Sequence, residues 1–189
     1  MRATATWVAP AGGAFAVYCG RMVAYYYTAG QKVSLEPDEE HVAVDQTAAQ
    51  QAGLNAKVAA VPKSAVRSGA GVLVTTRASL TADTLRELQD AGALQPVYKR
   101  GKVVVVAMPE VRVEFDTQDQ RSRVKKLLSP SAAHFSITED STDRLVIRPN
   151  SGNGADALNL ANRIQEHSDP AAVSARFVQF VPKPPQEPL

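Results

Sequence analysis

The residues able to do acid–base, nucleophilic or metal chemistry are few and widely spaced along the chain. It has three histidines, His41, His134 and His167, and one cysteine, Cys19. No two histidines have the spacing of a metal-binding helix, and one cysteine forms neither a Cys-x-x-Cys motif nor an internal disulfide. We therefore expect the histidines to be structural and Cys19 to pack as a small apolar side chain.

Two further segments have the polar residues of a site without its full pattern. Residues 151–154 (Ser-Gly-Asn-Gly) precede a predicted helix, where backbone N–H groups can hold a phosphate, but the Walker lysine and the Gly-x-Gly-x-x-Gly motif are missing. Glu139, Asp140 and Asp143 resemble an acid pair or metal site, yet acids in a polar hairpin turn are typically solvated. No Gly-x-Ser-x-Gly motif occurs. We predict that the chain is not an enzyme and uses no cofactor or metal.

Charge and hydropathy argue against two other classes of protein. The 189 residues include 21 Lys and Arg and 19 Asp and Glu, giving a net charge of +2, far from the basic footprint of a nucleic-acid-binding protein. The densest basic cluster is typical of a solvated helix face: Arg121, Arg123, Lys125 and Lys126. Without a signal-peptide core, a long apolar run or paired cysteines, we expect a cytoplasmic protein that binds neither nucleic acid nor membrane.

An internal repeat organises the chain. Residues 27–45 match residues 98–116 at a constant offset of 71 positions, with a tyrosine, a glycine and an aspartate identical and the apolar positions in phase. Each copy begins with a hairpin around a glycine, Gly30 or Gly101, which supplies the positive φ of a tight turn. A proline-containing bend, at 36–38 or 108–110, then leads to an alternating apolar strand.

The rest of each copy predicts the order β-α-β-β-α-β. In the second copy the predicted elements are a helix after a Thr117/Gln120 capping box, strands at 134–138 and 144–148, a helix at 155–166 and a strand at 174–181. In the first copy they are a short helix at 46–52, strands at 58–61 and 71–75, a helix capped by Thr81 and a strand at 93–98. This alternation predicts an α+β protein of two tandem ferredoxin-like sandwich units. The predicted domains are residues 1–108, residues 109–182 and a proline-rich tail at 183–189.

Three segments of the second copy resemble a known family. The helix Ala-Leu-Asn-Leu-Ala-Asn-Arg-Ile at 157–164, the Ser-Asp-Pro turn at 168–170 and the closing strand at 175–182 are similar to the propeptide-like N-terminal domains of subtilisin-type serine proteases. The resemblance implies a folding chaperone and inhibitor whose closing strand leads to an extended peptide in the protease cleft. On this resemblance the partner-binding residues are Phe177, Gln179, Phe180, Val181 and Pro182.

Two other functions fit the same pattern. The tail at 182–189 favours extended polyproline geometry, so the chain is alternatively a scaffold or adaptor that docks this tail onto a partner protein. A third reading is a sensor of a small ligand, which predicts a pocket between the two units.

Overall fold

A computed structural model describes residues 24–62 and 65–181 of the chain. Two antiparallel sheets and their helices make it a mixed α+β protein, which confirms the predicted class at that level. Within the described residues no helix is both long enough and apolar enough to cross a bilayer. Cys19, Pro182 and the predicted tail at 183–189 lie outside the described residues.

The described residues form eleven strands and five α-helices. The strands are β1 (Ala24–Thr28), β2 (Gln31–Pro37), β3 (His41–Asp45), β4 (Val66–Arg67), β5 (Val72–Thr76), β6 (Leu94–Gln95), β7 (Val97–Arg100), β8 (Val103–Glu114), β9 (Phe135–Asp140), β10 (Arg144–Pro149) and β11 (Ala172–Phe180). The helices are α1 (Gln46–Gln51), α2 (Asn55–Ala59), α3 (Ala82–Asp90), α4 (Gln118–Leu128) and α5 (Gly154–Ser168). Short 3-10 turns lie at Arg77–Ser79 and Ser129–His134.

The two sheets have related strand orders. The small sheet is β4-β5-β3-β6. Six strands of the large sheet follow the path β1-β2-β7-β8-β10-β9. Its seventh strand, β11, lies off this path and pairs with β8. Four strands of the large sheet therefore lie in the order β9-β10-β8-β11, and all of their pairings are antiparallel. Both four-strand sets thus place their strands, numbered along each copy, in the order 2-3-1-4.

The expected turns and caps account for most helix and strand ends. Ala29 and Gly30 both have positive φ, 48° and 73°, at the tight turn between β1 and β2. Thr117 and Gln120 form the predicted capping box of α4, and the Thr81 side chain caps α3. Helix α5 ends at Asp169, whose left-handed backbone turns the chain into β11.

Three predictions for individual segments differ from the structure. Residues 58–61, predicted as a strand, form the end of α2 and the turn after it instead: the Val58 N–H bonds the Leu54 carbonyl, and the Val61 N–H bonds the Val58 carbonyl. A four-residue apolar run fits either element. The predicted strand at 93–98 is divided at Pro96, so that β6 joins the small sheet and β7 joins the large one. The predicted bend at Pro109 lies inside β8, where 108–110 stand opposite the single residue Arg176 of β11.

Buried side chains form three layers around the two sheets. The helix-facing side of the large sheet packs on α4 and α5, through residues such as Val105, Leu145 and Ile164. The helix-facing side of the small sheet packs on its own helices through Leu73 and Leu88, among others. The remaining layer lies between the two sheets and packs them back to back: Ala43, Val72, Val74, Val97, Val106, Met108 and Val178. We call this set the inter-sheet core.

Candidate functional site

The closing strand β11 holds the predicted partner-binding residues in unequal settings. The Phe177 ring is half-buried, with its centroid 5.1 Å from that of Tyr26 on β1. The Phe180 side chain is half-buried against the inter-sheet core. Gln179 is exposed, and Val181, directly after the strand, is 70% exposed. The phenylalanines therefore fix the strand in the fold, while Gln179 and Val181 are open to solvent.

Strand β11 is an edge strand. Among the described strands it pairs only with β8, over a register that runs from Ala172 opposite Glu114 to Phe180 opposite Val104. One row of its backbone N–H and C=O groups is therefore free of sheet pairing, and such a row can template an extended peptide. Because both ends of β11 are held against β8, this row has a fixed position.

A cluster of arginines lies on the side of the large sheet that faces away from α4 and α5. Glu110, whose side chain is 9% exposed, is contacted by three guanidinium groups from three strands. Its carboxylate oxygens lie 2.9 Å from Arg112 Nη2, 3.2 Å from Arg148 Nη2 and 3.6 Å from Arg176 Nη1. Each of the three arginine side chains is 40–55% exposed. We call these four residues the arginine face.

The ionisation of Glu110 follows from these contacts. Burial alone would raise the pKa of the Glu110 carboxyl, but hydrogen bonds from Arg148 and Arg112 and the charge of Arg176 outweigh it and lower the pKa below its ordinary value of 4.5. Glu110 is therefore a carboxylate at neutral pH. One negative charge holds three positive groups in place, and two positive charges are left without a partner in the cluster.

A cleft of about 500 Å³ opens between the two sheets, beside the start of α5. Beside it the Asp38 carboxylate, 2% exposed, accepts bonds from Lys99 Nζ at 2.9 Å and His41 Nδ1 at 3.0 Å. Burial would raise the pKa of Asp38, but these two partners lower it. Asp38, Glu40 and His41 offer ligand atoms within 4.8 Å of one another. However, Lys99 already supplies the cation that Asp38 requires, so this cluster has the form of an internal ion pair.

In the loop at 151–154, the backbone N–H groups that could hold a phosphate already donate hydrogen bonds within the protein. The Gly154 N–H bonds Gln95 Oε1 at 2.8 Å, and the Ala155 N–H bonds Asn153 Oδ1 at 2.8 Å. A side chain at Gly154 would place its Cβ 1.9 Å from the Ala107 carbonyl oxygen, so glycine is needed for α5 to approach β8. The loop therefore caps α5 and joins it to Gln95 at the end of the small sheet.

The other acids and the basic cluster also serve structural contacts. Asp140 is paired with both Arg121 and Lys125 of α4. Glu139 is paired with Arg144, and Asp143 accepts a bond from the Ser141 hydroxyl. These acids fix α4 and the β9–β10 turn. They do not converge on one point, as a catalytic pair would.

The remaining two histidines are separate from these clusters. His134 ends a 3-10 turn and lines a second cleft, of about 470 Å³, on the outer side of α5. His167 lies in the last turn of α5, where the helix dipole favours a positive charge. Neither histidine makes a side-chain hydrogen bond to a described residue, which leaves both without the orienting partner of a general base.

The arginine face was not predicted from the sequence. Glu110 and Arg112 lie two residues apart on β8, but Arg148 and Arg176 are far from them along the chain, and only the pairing of β10 and β11 with β8 brings them to Glu110. One signal was visible: in the segment Val-Arg-Val-Glu-Phe at 111–115 the polar positions alternate with apolar ones, which marks a strand face without an apolar cover.

Comparison with known proteins adds no identification. No family model, curated protein or solved structure matches the chain.

Proposed function

We propose that this chain is a non-catalytic protein-binding module of a subtilisin-type protease system, acting as an inhibitor or folding chaperone of the protease. The observation that carries the proposal is the closing strand, an edge strand anchored by Phe177 and Phe180 that ends at the exposed Val181. A chain leaving such a strand starts from a fixed position and direction. It is therefore suited to add an extended segment to the cleft of an enzyme.

The arrangement of strands supports the fold part of the proposal. We infer that the chain comprises two ferredoxin-like units, because each four-strand set has the order 2-3-1-4 with antiparallel pairs and two helical crossovers. The units are joined with one residue, Pro96, between β6 and β7, and they share the inter-sheet core. A rigid pair of units would hold the closing strand steady during binding.

The packing of the two sheets reduces the surface through which a partner would bind. A single sandwich unit has its whole helix-free sheet face available for an enzyme. Here the half of that face around Val106 and Val178 is buried under the small sheet. The surface left for a partner is therefore the β11 edge together with the half that contains the arginine face.

The test is inhibition of a panel of subtilisin-type proteases by the purified chain, beside a variant truncated after Phe180. We expect inhibition by the full chain that is lost on truncation, because the truncation leaves every described pairing of β11 intact and removes only the segment beyond it. Equal inhibition by the two chains, or no inhibition by either, would overturn the proposal.

A matched pair of substitutions separates a specific contact from a general effect of surface charge. Val181→Asp alters the exposed residue that follows β11, and Val66→Asp alters a valine 56% exposed on the small sheet. Both should leave the melting temperature almost unchanged, because neither residue is buried. Only Val181→Asp should weaken inhibition.

A further inference from the structure

We propose that the arginine face binds carboxylate groups of an acidic segment in the protein partner. This inference rests on the protein-binding function proposed above and adds the chemistry of the partner. Three guanidinium groups are fixed by one buried carboxylate, and each remains partly exposed. An arginine fork binds a carboxylate through two parallel hydrogen bonds, and prior positioning of the fork lowers the ordering cost of binding.

A cleft beside these arginines has room for an inserted side chain. Arg148 and Arg176 line a cleft of about 390 Å³ between the large sheet and the α1 end of the small sheet. This volume falls within the range of about 300–1,000 Å³ that is usual for ligand sites. The uncharged polar groups lining the cleft offer further hydrogen bonds: Thr47, Gln51, Ser136 and Asn150.

The charges around the cleft favour an anion at its arginine side. One acid, Asp45, also lines the cleft, but its Oδ1 already accepts the N–H groups of Thr47 and Ala48 at the start of α1. Farther along the same sheet face, Arg144 pairs with Glu139, and Glu114 is exposed. The unbalanced positive charge is therefore concentrated around Glu110, next to the cleft.

The same charges favour a protein partner over a nucleic acid. A nucleic-acid surface needs a basic stripe that follows several phosphates, and a whole-chain charge of +2 is small for that purpose. Acidic residues also interrupt the basic character of this sheet face, with Glu114 and Glu139 at its far end. A short run of Asp or Glu side chains matches a compact group of three arginines better.

The test uses a fluorescein-labelled octaglutamate peptide, with octaglutamine as the uncharged control, and measures fluorescence anisotropy on titration with the full chain. The test variant is the double substitution Arg148→Gln/Arg176→Gln. It leaves Arg112 in place 2.9 Å from Glu110, so the buried carboxylate keeps a partner and the fold is retained. The control variant, Arg86→Gln/Arg163→Gln, removes the same charge from exposed helix positions.

We expect octaglutamate to bind the unchanged chain, and its affinity to fall at least tenfold in the test variant and less than twofold in the control variant. A third variant, Arg148→Lys/Arg176→Lys, keeps the charge and loses the forks, so its affinity should be intermediate. Equal losses in the test and control variants, or no binding of octaglutamate, would overturn the inference. Tighter binding of a labelled octathymidylate that the test variant abolishes would also overturn it, in favour of nucleic acid.

The peptide assay contains no protease, and the truncation after Phe180 leaves all four residues of the arginine face unchanged. A failure of one test can therefore be distinguished from a failure of the other. Octaglutamate binding without protease inhibition would support the arginine face as a binding site and show the protease proposal to be wrong. Protease inhibition without octaglutamate binding would support the protease proposal and show the inference about the arginine face to be wrong.

Discussion

One face of the long strand β8 has two contrasting halves. Up to Met108, its side chains on the face away from α5 are apolar and are buried under the small sheet. From Glu110 onward, the side chains on that face are charged and reach solvent, or are covered only by arginines. The change occurs at Pro109, where β8 bulges against β11. The contrast shows how one sheet supplies both an internal interface and a solvent-exposed surface, which is the surface that we propose for a partner.

Breaking the buried half should have the largest effect. Val106→Asp would place a carboxylate at a fully buried position of the inter-sheet core, where no cation lies among the members of that core. We expect a loss of about 3–5 kcal/mol in the free energy of unfolding, or failure to fold. Denaturant unfolding followed by circular dichroism measures this loss.

The matched control introduces the same residue on the same sheet but in the open half. Ser174 is exposed on β11 and lies opposite Arg112, so Ser174→Asp should alter the free energy of unfolding by less than about 0.5 kcal/mol. Similar losses in the two variants would contradict the contrast between the halves.

Removing the charge that organises the open half should have an intermediate effect. Glu110→Gln leaves three guanidinium groups without their common carboxylate, and we expect a loss of about 1–2 kcal/mol at neutral pH. Because the folded-state pKa of Glu110 is lowered, its contribution is present above its ordinary pKa of 4.5 and is lost as the pH falls through the folded value. The stability difference between the two proteins should therefore shrink in acid, as measured by urea unfolding at neutral and acidic pH. A difference that stays constant across this range would contradict the role of the Glu110 charge.

An exposed ion-pair cluster should show the smallest effect and sharpen the role of burial. Asp140 also has two cationic partners, Arg121 and Lys125, but its side chain is 38% exposed. Asp140→Asn should therefore lower the melting temperature less than Glu110→Gln does. Added salt should remove the effect of Asp140→Asn relative to the unchanged protein, because salt screens exposed pairs. An effect as large as that of Glu110→Gln would mean that the number of partners matters more than burial.

Local signals in the sequence predicted much of the fold. The turn at Ala29 and Gly30, the capping box at Thr117 and the cap at Thr81 each depend on neighbouring residues, and each is present in the structure. The split at Pro96 and the bulge at Pro109 depend on which sheet each strand joins, and that choice is made by packing between the sheets. For the same reason the arginine face was missed, whereas the sequence could identify Gln179 as a residue of a closing strand.

The position of β11 late in the chain has a consequence for folding during synthesis. Val178 of this strand, with Phe180 packed beside it, completes the layer that covers the apolar back of the small sheet. At about 5–20 residues per second, the ribosome needs about 4–17 s to make the chain from Pro96 to Phe180. Until Val178 and Phe180 are made, the apolar back of the nascent small sheet, formed by Ala43, Val72 and Val74, lacks the part of its cover that these two residues supply. The small sheet, made early, therefore needs a strand made late to complete its apolar packing. A nascent chain that stalls in between exposes part of this apolar face to the ribosome and its chaperones.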